Sequence, residues 1–488
     1  MTDELPNGWA TAKLADVVDV LDGRRVPVNA RERASRPGDI PYYGATGQVG
    51  WIDDHLFDED LILLGEDGVQ FFDPTKPKAY LISGRAWVNN HAHVLRAHEQ
   101  SVDRRFLCYY LNHFNYEGFV NGTTRLKLTQ GAMNQIPILL PPLAEQRRVI
   151  ETLEDHLSRL DAACSIVRAN LRRCQAMEAA VIDQAVRGLL VNHDSTDEIG
   201  PYVQGLSGSR RSMTGGRSIP KPTSSSLAMS IPTNWTTKSV DEITWSIEYG
   251  TSAKAHSEPA PSDVPVIRMG NIQNRELDFT SLKYLSSSHP DVQKLSLTDG
   301  DILFNRTNSA ELVGKSAVYR SDCGPATFAS YLIRCRVLPE VESDWLNLVI
   351  NSPVGRAYLS SVVSQQVGQA NINGTKLATM PIPLPTQQEQ RAILEVVDDY
   401  LGKHKRLTKA LTSSLQRAEH LRKALLSRTF AGELVSQDPT EEPAIEVLKR
   451  TEAERRVRIK TTRAQRTSAV PPRQTKYVSV GIQEELPL

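Results

Sequence analysis

The sequence predicts an α+β protein in which two globular domains of mixed α and β structure are joined by two long antiparallel coiled-coil helices, related by a pseudo-twofold internal repeat. Three observations predict this fold. A segment recurs at an offset of 244 residues, both copies have a coiled-coil spacing of apolar residues, and the regions between them show strand and turn patterns. At 488 residues, the chain also exceeds one ordinary domain of roughly 100 to 200 residues.

The repeat covers residues 136–191 and 380–435, which align without a gap and share 16 identities. Unrelated sequences of this length would share about three or four. A second anchor, PNGW at 6–9 against PTNW at 232–235, has an offset of 226 residues. The regions between the anchors differ almost completely, so one scaffold carries two divergent inserts. Each copy contains an EQR triplet: Glu145, Gln146 and Arg147 in the first, Glu389, Gln390 and Arg391 in the second.

Both repeated segments predict long helices with the alternating three and four spacing of a coiled-coil seam. In the first copy only Glu178 interrupts the seam. In the second copy the less apolar seam positions are His404, Thr408 and Arg422. The first seam consists of Ile150, Leu153, Leu157, Leu160, Cys164, Val167, Leu171, Cys174, Val181 and Ala185. The second consists of Leu394, Val397, Leu401, Leu411, Leu415, Ala418 and Leu425.

The ends of the two helices are marked in the sequence. Each follows a proline (Pro142, Pro385) and stops near a glycine (Gly188, Gly432), and Thr386 with Glu389 forms a capping box in the second copy alone. Each helix is expected to be roughly 60 to 65 Å long at ~1.5 Å per residue. A purely structural coiled coil remains an alternative, but equal lengths favour a rigid spacer between two domains.

We therefore divide the chain into six parts. The predicted linker is rich in Ser, Gly and Pro, and the tail is expected to contain at most a short mixed-charge helix before about 20 unstructured residues. The parts are a first globular domain (1–140), a first spacer helix (141–191), a flexible linker (192–230), a second globular domain (231–384), a second spacer helix (385–437) and a C-terminal tail (438–488).

Composition excludes several classes of protein. The sequence has no signal peptide and no apolar run of the ~18 residues that a membrane span needs, so a cytoplasmic location is expected. Five cysteines are widely spread without a CxxC pair, which favours buried thiols over a zinc site. With 57 basic and 57 acidic residues, nucleic-acid binding would require local clustering of charge or a basic partner protein.

Both divergent regions are rich in side chains that form paired hydrogen bonds with base edges, mainly Arg, Lys, Asn and Gln. The candidates in the first region are Arg24, Arg25, Tyr42, Tyr43, Gln48, Asn90, Arg125 and Lys127. The candidates in the second are Arg268, Asn271, Asn305, Arg306, Asn308, Gln369 and Asn371. Each residue taken singly is more often a turn residue or a solvated surface residue.

Catalytic motifs are not found. The sequence has no NPPY motif with a glycine-rich loop for adenine methylation, and no acidic cluster with lysine for a nuclease. Residues 309–316 (SAELVGKS) approach a phosphate-binding loop, but the following SAVYR is typical of a strand where that loop needs a helix. His91 and His93 alternate on one strand without an evident carboxylate or cysteine partner, so packing is favoured over metal binding.

The segments IPYYGATGQVGWID, IPILLPPLAEQRRVIETL, IPLPTQQEQRAILEVVD and GELVSQDPTEEPAIEVLKR resemble specificity subunits of type I restriction-modification systems. The resemblance covers nearly the whole chain. It implies that two target-recognition domains each read half of a bipartite site in double-stranded DNA. It also implies two methyltransferase subunits and restriction (translocase) subunits as partners, with the EQR triplets docking them. The implied chain is non-catalytic and binds no cofactor; S-adenosylmethionine, ATP and Mg belong to the partners.

Two rival hypotheses remain open at this stage. One is a coiled-coil scaffold that binds only protein, which would show no salt-dependent binding to duplex DNA in the assembled complex. The other is an enzyme with an unrecognised active site, which would show turnover by the isolated chain with S-adenosylmethionine or ATP.

Overall fold

The computed structural model describes residues 5–192, 199–218, 229–309, 313–366 and 369–468. The chain divides into two compact units. Unit 1 consists of Met1–Ser165 and Leu415–Leu488, and unit 2 of Ile166–Ser414. Each unit therefore contains one globular domain and part of each long helix. No helix of the described ranges is long and apolar enough to cross a membrane.

The first domain contains twelve strands and four short helices within the described residues. In chain order these are β1 (Ala10–Lys13), α1 (Leu14–Val17), β2 (Val18–Val20), α2 (Ala30–Ala34), β3 (Ile40–Gly44), β4 (Gly47–Ile52), β5 (Phe57–Asp58), β6 (Leu61–Gly65), β7 (Ala79–Ile82), β8 (Arg85–Val88), β9 (Ala92–Ala97), α3 (Arg104–His113), β10 (Val120–Asn121), β11 (Lys127–Leu128), α4 (Gln130–Asn134) and β12 (Pro137–Leu140).

Two four-stranded sheets form the body of this domain, in the orders β2-β9-β6-β7 and β4-β3-β8-β5. All their pairings are antiparallel except β3 with β8. Strand β6 (LILLG) is buried along its whole length, as expected for a central strand covered on both faces. Strand β1 pairs with β12 and so joins the two ends of the domain.

The long helix α5 (Leu143–Val186) and the helix α6 (Ile199–Thr214) precede the second domain. That domain contains β13 (Thr236–Ser239), α7 (Val240–Ile243), β14 (Thr244–Tyr249), β15 (Asp263–Ile267), β16 (Ile272–Gln273), β17 (Glu276–Leu277), β18 (Lys283–Ser286), α8 (Pro290–Lys294), β19 (Ile302–Asn305), β20 (Thr307–Asn308), β21 (Ser316–Val318), β22 (Thr327–Phe328), β23 (Leu332–Val337), α9 (Ser343–Asn351), α10 (Pro353–Val362), β24 (Ser364–Gln366), β25 (Gln369–Asn371), α11 (Gly374–Ala378) and β26 (Pro381–Leu384).

The second domain repeats the topology of the first despite its different sequence. Its main sheet has the order β14-β23-β19-β21, which matches β2-β9-β6-β7, and β13 pairs with β26 as β1 does with β12. A parallel pair, β15 with β22, corresponds to β3 with β8. The predicted strand at SAVYR is confirmed, since β21 pairs antiparallel with β19 and no helix follows Lys315. The chain therefore presents the same scaffold twice.

The second long helix, α12 (Gln387–Phe430), has 44 residues, as does α5, so each is ~66 Å long. Both end two residues before a glycine with positive φ, Gly188 (73°) and Gly432 (75°), as the sequence predicts. Thr386 accepts a hydrogen bond from the Glu389 amide at 3.4 Å, the cap expected in the second copy alone.

The predicted seam residues of α5 and α12 are buried or half-buried, and the two helices lie antiparallel within each unit. In unit 1, Ile150 and Leu157 near the start of α5 share a core with Phe430 at the end of α12. In unit 2, Ile182 near the end of α5 shares a core with Ile393 near the start of α12. The coiled-coil spacing therefore predicted both the helices and their buried faces correctly.

The prediction of a flexible linker is wrong for Ile199–Thr214, which form α6. Arg210 of α6 is buried and donates hydrogen bonds to the Asp241 carbonyl (3.0 Å) and carboxylate (2.5 Å). The last helix, α13 (Ala444–Ser468), makes the corresponding contact in unit 1, where Arg455 donates to the Ala15 carbonyl at 3.0 Å. Ala15 and Asp241 are equivalent at the 226-residue offset, so both second helices belong to the repeated scaffold.

Helix α13 is also longer than the short helix that the sequence predicts for the tail, and the residues expected to be unstructured after it lie outside the described residues. The cysteines follow the prediction with one exception. All five are free, and four are buried, but Cys323 is exposed.

Candidate nucleic-acid interface

Two groups of candidate residues in the second domain, about 60 residues apart in sequence, lie together in the structure. Strand β20, which follows Arg306, pairs with β25 so that Thr307 faces Asn371 and Asn308 faces Ala370. Strand β24 completes this small sheet by pairing with β25. The backbone positions of Asn308, Gln369 and Asn371 are therefore neighbours at the end of β19 in the main sheet.

Arg306 is the candidate whose side chain is held most firmly there. Its guanidinium carbon lies 4.9 Å from the centre of the Tyr249 ring, and its Nη1 donates to the Ser330 carbonyl at 3.4 Å. The Tyr249 hydroxyl in turn accepts a hydrogen bond from the Gly374 amide at 2.7 Å. A guanidinium stacked on an aromatic ring is preorganised, because less side-chain entropy is lost when it binds.

The surroundings of Arg306 have unused hydrogen-bonding capacity. Its Nε and the Asn371 Oδ1 are buried atoms without a hydrogen-bond partner among the described residues. Two tyrosines close by, Tyr249 and Tyr331, are 44% and 53% exposed. Buried polar atoms of this kind normally have a partner, so a ligand or water is expected at this place. We call Tyr249, Arg306, Tyr331 and Asn371 the domain-2 edge.

The first domain brings its own candidates together at the equivalent end of its main sheet, beyond β6. Arg25 Nη1 lies 2.9 Å from Glu66 Oε2, and Lys127 Nζ lies 3.0 Å from Glu66 Oε1. Arg125 donates to the Asp67 carboxylate at 2.7 Å. The backbones of Asp67 and Lys127 form an antiparallel β-bridge, which corresponds to the pairing of Thr307 with Asn371 in the other domain. We call Arg25, Glu66, Asp67, Arg125 and Lys127 the domain-1 edge.

The charges at the domain-1 edge are coupled. Burial opposes ionisation of Glu66, but hydrogen bonds from Arg25 and Lys127 outweigh it and lower the pKa of this carboxyl below its usual value. The side chains of Arg125 and Lys127 are 63% and 53% exposed, so both remain accessible to a ligand. The two edges therefore occupy one topological position but differ in chemistry: ion pairs at the first, amides and aromatic rings at the second.

The expectation that His91 and His93 have no carboxylate partner is wrong. His93 is buried, with Nδ1 2.6 Å from Asp22 Oδ2 and Nε2 2.9 Å from the Leu128 carbonyl. His91 Nδ1 lies 2.8 Å from Asp67. Asp22, Glu66 and His93 are close enough together to hold a metal ion, but Arg25 already occupies the cationic position between these carboxylates at 2.9 to 3.3 Å. The favoured packing role agrees with this geometry.

Three predicted base-contacting residues are buried, and two of them serve the fold instead. Tyr42 is 1% exposed, and its hydroxyl donates to the Val28 carbonyl at 3.0 Å. Asn271 is 3% exposed, and its amide holds a turn through the carbonyls of Asp278 and Ser281. Asn305 is 1% exposed at the end of β19. The expectation that Tyr42 and Asn271 face a ligand is therefore wrong, while that for Asn305 stays a prediction.

The remaining candidates lie away from the two edges or have few contacts. Arg24 is half exposed and packs on the Phe57 ring, while Tyr43 is half-buried beside Tyr80. Gln48 and Asn90 are exposed, with Gln48 donating to the Gly50 carbonyl at 3.1 Å. Arg268 is half-buried and donates to the Ser281 carbonyl at 3.3 Å.

The EQR triplets hold each domain onto its own helix rather than presenting three docking side chains. Glu145 Oε1 accepts from Trp9 Nε1 at 3.0 Å, and Glu389 Oε1 accepts from Trp235 Nε1 at 2.8 Å. The next residues, Gln146 and Gln390, are fully buried. Gln146 accepts a hydrogen bond from the Asp103 amide at the N-terminus of α3, and Gln390 accepts one from the Glu342 amide at the N-terminus of α9. The expectation that these four residues dock partners is wrong; Arg147 and Arg391 are exposed.

Sequence reasoning missed Tyr249, Tyr331, Glu66 and Asp67. The tyrosines carry no local signal, because only the pairing of β14 with β23 brings them beside Arg306. The acidic pair was visible as Glu-Asp between glycines directly after a buried strand. Carboxylates repel phosphates, but they also orient neighbouring arginine and lysine side chains.

Comparison with known proteins agrees with this duplicated architecture. Residues 6–163 and 232–417 match the type I restriction modification DNA specificity domain. The specificity subunit of the type I restriction enzyme EcoKI from Escherichia coli is 22% identical over 467 residues, covering 90% of this chain and 92% of the relative. The StySPI specificity subunit from Salmonella potsdam is 23% identical over 487 residues, covering 94% and 96%.

A putative specificity subunit from Haemophilus influenzae is 34% identical over a shorter stretch of 144 residues, which spans 29% of this chain and 35% of that protein. A chain from a solved structure of a type I restriction-modification system has the same fold, with a TM-score of 0.59 and 16% identity over 88% of this chain and 99% of its own length. The family match spans both domains and supports DNA specificity over a protein-only scaffold. The chain therefore belongs to the DNA specificity family of type I restriction-modification systems.

Proposed function

We propose that this chain reads a split DNA site, with the domain-1 edge contacting one half and the domain-2 edge the other. The observation that supports this most strongly is that one topological position, the end of the central strands β6 and β19, carries different polar side chains in two copies of one scaffold. Recognition of two different half-sites requires two similar scaffolds whose DNA-facing side chains differ.

The chemistry of each edge favours a different mode of contact. Arg306, stacked on Tyr249, is placed to form the paired hydrogen bonds that arginine makes with guanine in the major groove. Asn371 beside it offers an amide, the group that pairs with adenine. At the domain-1 edge, Arg125 and Lys127 are exposed cations oriented by acidic partners, and we assign them to base or phosphate contacts.

The chain acts by placing other subunits on DNA rather than by catalysing a reaction itself. We propose two methyltransferase subunits and restriction subunits as its partners, which would supply S-adenosylmethionine, ATP and Mg chemistry. Arg147 and Arg391, which follow the buried Glu-Gln pairs, are exposed at equivalent positions and are suited to two equivalent docking events, with Arg391 also paired with Glu342 at 2.7 Å. Helices α5 and α12, with 44 residues each, would set the gap between the half-sites.

The experiment measures how the complex of this chain with its methyltransferase binds DNA. The DNA libraries are randomised in one half-site at a time. Arg306→Ala should lower discrimination at contacted positions of one half by about 1 to 3 kcal/mol per base pair. Lys127→Ala together with Arg125→Ala should affect the other half alone. Arg320→Ala is the matched control, because Arg320 lies beyond β21 at the opposite end of the sheet, paired with Asp344. Equal losses in both halves would contradict independent readers.

A further inference from the structure

Unit 2 contains a cavity of about 380 Å³ between the second domain and α5. None of the four residues that define the domain-2 edge lines it, but the two sites are close, because the Lys315 carbonyl accepts from the amide of Asn305, the neighbour of Arg306. Its walls come from α5, the β16-β17 turn, the start of β21, and α9 with α10. The lining residues are Gln175, Glu178, Ala179, Ile182, Asn274, Arg275, Lys315, Asn351, Pro353 and Arg356.

The lining carries three cationic side chains and one acidic one. Arg275 is paired with the acid, since its Nη2 lies 2.9 Å from Glu178 Oε1. Glu178 also contacts His404, whose Nδ1 is 3.4 Å from Oε2. The side chain of Lys315, in contrast, has no hydrogen bond or ion pair with any residue in the described ranges, although its carbonyl accepts from the Asn305 amide at 2.8 Å. Among the described residues that line the cavity, three cationic side chains therefore occur with one carboxylate.

Two of the cations are positioned by turns of the backbone. Asn274 and Arg275 form the two-residue turn between β16 and β17, in which positive φ at both residues (49° and 69°) is usual, and the Arg275 carbonyl accepts from Asn347 at 3.3 Å. Gly314 has a φ of 82°, and a Cβ there would lie 2.9 Å from Arg356 Nη1. A residue with a side chain would be strained at this φ, and its Cβ would crowd Arg356, which donates to the Val313 carbonyl at 2.7 Å.

We propose that this cavity binds a phosphate group through Arg275, Lys315 and Arg356. Arginine supplies planar donors that match phosphate oxygens, and lysine adds a point charge. Pro353 is the first residue of α10, whose N-terminal dipole adds positive potential at the same wall. Binding here uses side chains, because the strand that follows Lys315 excludes a nucleotide-binding loop.

The phosphate could come from the DNA backbone or from a small free phosphate compound. Only the first source makes this inference rest on the proposed function. The test compares the wild-type chain with Lys315→Gln, using Lys409→Gln as the control because Lys409 is an exposed lysine of the same unit. One arm measures the salt dependence of duplex DNA binding by the complex with methyltransferase. The other measures pyrophosphate binding to the same complex without DNA by calorimetry.

If the DNA backbone occupies the cavity, Lys315→Gln should reduce the slope of log K against log salt concentration by about 1 and leave base preference unchanged. If a free phosphate compound occupies it, wild type and Lys409→Gln should bind pyrophosphate saturably, and Lys315→Gln should bind at least about tenfold more weakly. The inference is overturned if Lys315→Gln matches wild type in both arms. A wild-type complex that does not bind DNA at all would refute the proposed function, while the pyrophosphate arm would still decide the cavity.

Discussion

Glu178 of α5 and Arg275 of the β16-β17 turn form an ion pair, with 2.9 Å between Oε1 and Nη2. Glu178 is the residue that interrupts the apolar seam of α5, and His404, a less apolar position in the seam of α12, lies 3.4 Å from its other oxygen. The irregular positions of the two seams thus meet each other and the second domain. The break in the coiled-coil pattern is therefore an attachment point for the domain.

Glu178→Leu completes the apolar seam and should nevertheless destabilise unit 2. Arg275 and His404 would lose their acidic partner, and the Nε2 of His404 is already buried without a partner among the described residues. Because the pair is partly exposed, we expect a loss of only about 1 to 2 kcal/mol in the free energy of unfolding. Chemical denaturation measures this loss. The double variant Glu178→Leu with His404→Leu should recover part of it, and a single variant more stable than wild type would contradict the attachment role.

Arg210→Met should destabilise unit 2 by about 3 kcal/mol or more, because it leaves the Asp241 carboxylate buried with Arg217 as its remaining charged partner. Arg455→Met removes the equivalent contact in unit 1, but the Arg455 side chain is 42% exposed, so its loss should cost less than about 1 kcal/mol. Limited proteolysis between α5 and the second domain, together with denaturation midpoints, measures both. Equal effects of the two variants would show that α6 is not an integral part of its unit.

Glu145→Gln should leave stability unchanged in acid and raise it near neutral pH. Burial raises the pKa of Glu145 above its ordinary value, against smaller opposing effects from the Trp9 indole and Arg148. Below about pH 4 both side chains are neutral and equivalent. As the pH rises through the folded-state pKa, only the wild type bears the cost of a buried charge.

The difference in stability is measured by the melting temperatures of the Glu145→Gln variant and the wild type between about pH 4 and pH 8. Glu151→Gln is the control, because Glu151 is an exposed residue on the same helix. A variant that is less stable than wild type at neutral pH would show that the charge of Glu145 stabilises the Trp9 contact.

Removing one heptad from each long helix should shorten the gap between the half-sites. Residues 166–172 and 410–416 are equivalent at the 244-residue offset, and their loss shortens each helix by ~10 Å, about three base pairs of duplex. The Glu178–His404 pair and the Asp161–Arg422 pair lie outside the deleted residues. Selection of binding sites from a library with variable gaps measures the preferred spacing. A gap that stays unchanged would contradict the proposal that the helices set it.

The sequence predicted those features that depend on local periodicity. The repeat, the long helices, their buried faces and their glycine ends follow from spacing alone, since period and offset can be read without knowing the fold. The predicted strand after Lys315 is confirmed for the same reason. Helix α6 was missed because Gly200, Gly205 and Gly208 lower its helix propensity, and its stability depends on tertiary contacts such as Arg210 with Asp241.

Residue type predicted the location of the two edges better than the role of each side chain. Arg306 and Asn371 meet because β20 pairs with β25, a contact that no local pattern indicates. Tyr42 and Asn305 are the same residue types as good base readers, yet they are buried, because their positions in β3 and β19 face a core. Burial of a single polar residue depends on the pairing register, which the sequence alone does not specify.

The most direct measurement is single-molecule sequencing of methylated bases in cells that carry this chain with its neighbouring methyltransferase, compared with cells that lack only this chain. We expect modified adenines within a split motif, and we expect these marks to disappear without the chain. In the Arg306→Ala variant, the methylated motif should become less sequence-specific in one half, while the other half and the gap length should stay the same. Methylation that is absent, or unchanged when the chain is removed, would contradict its role in directing modification to a specific DNA site.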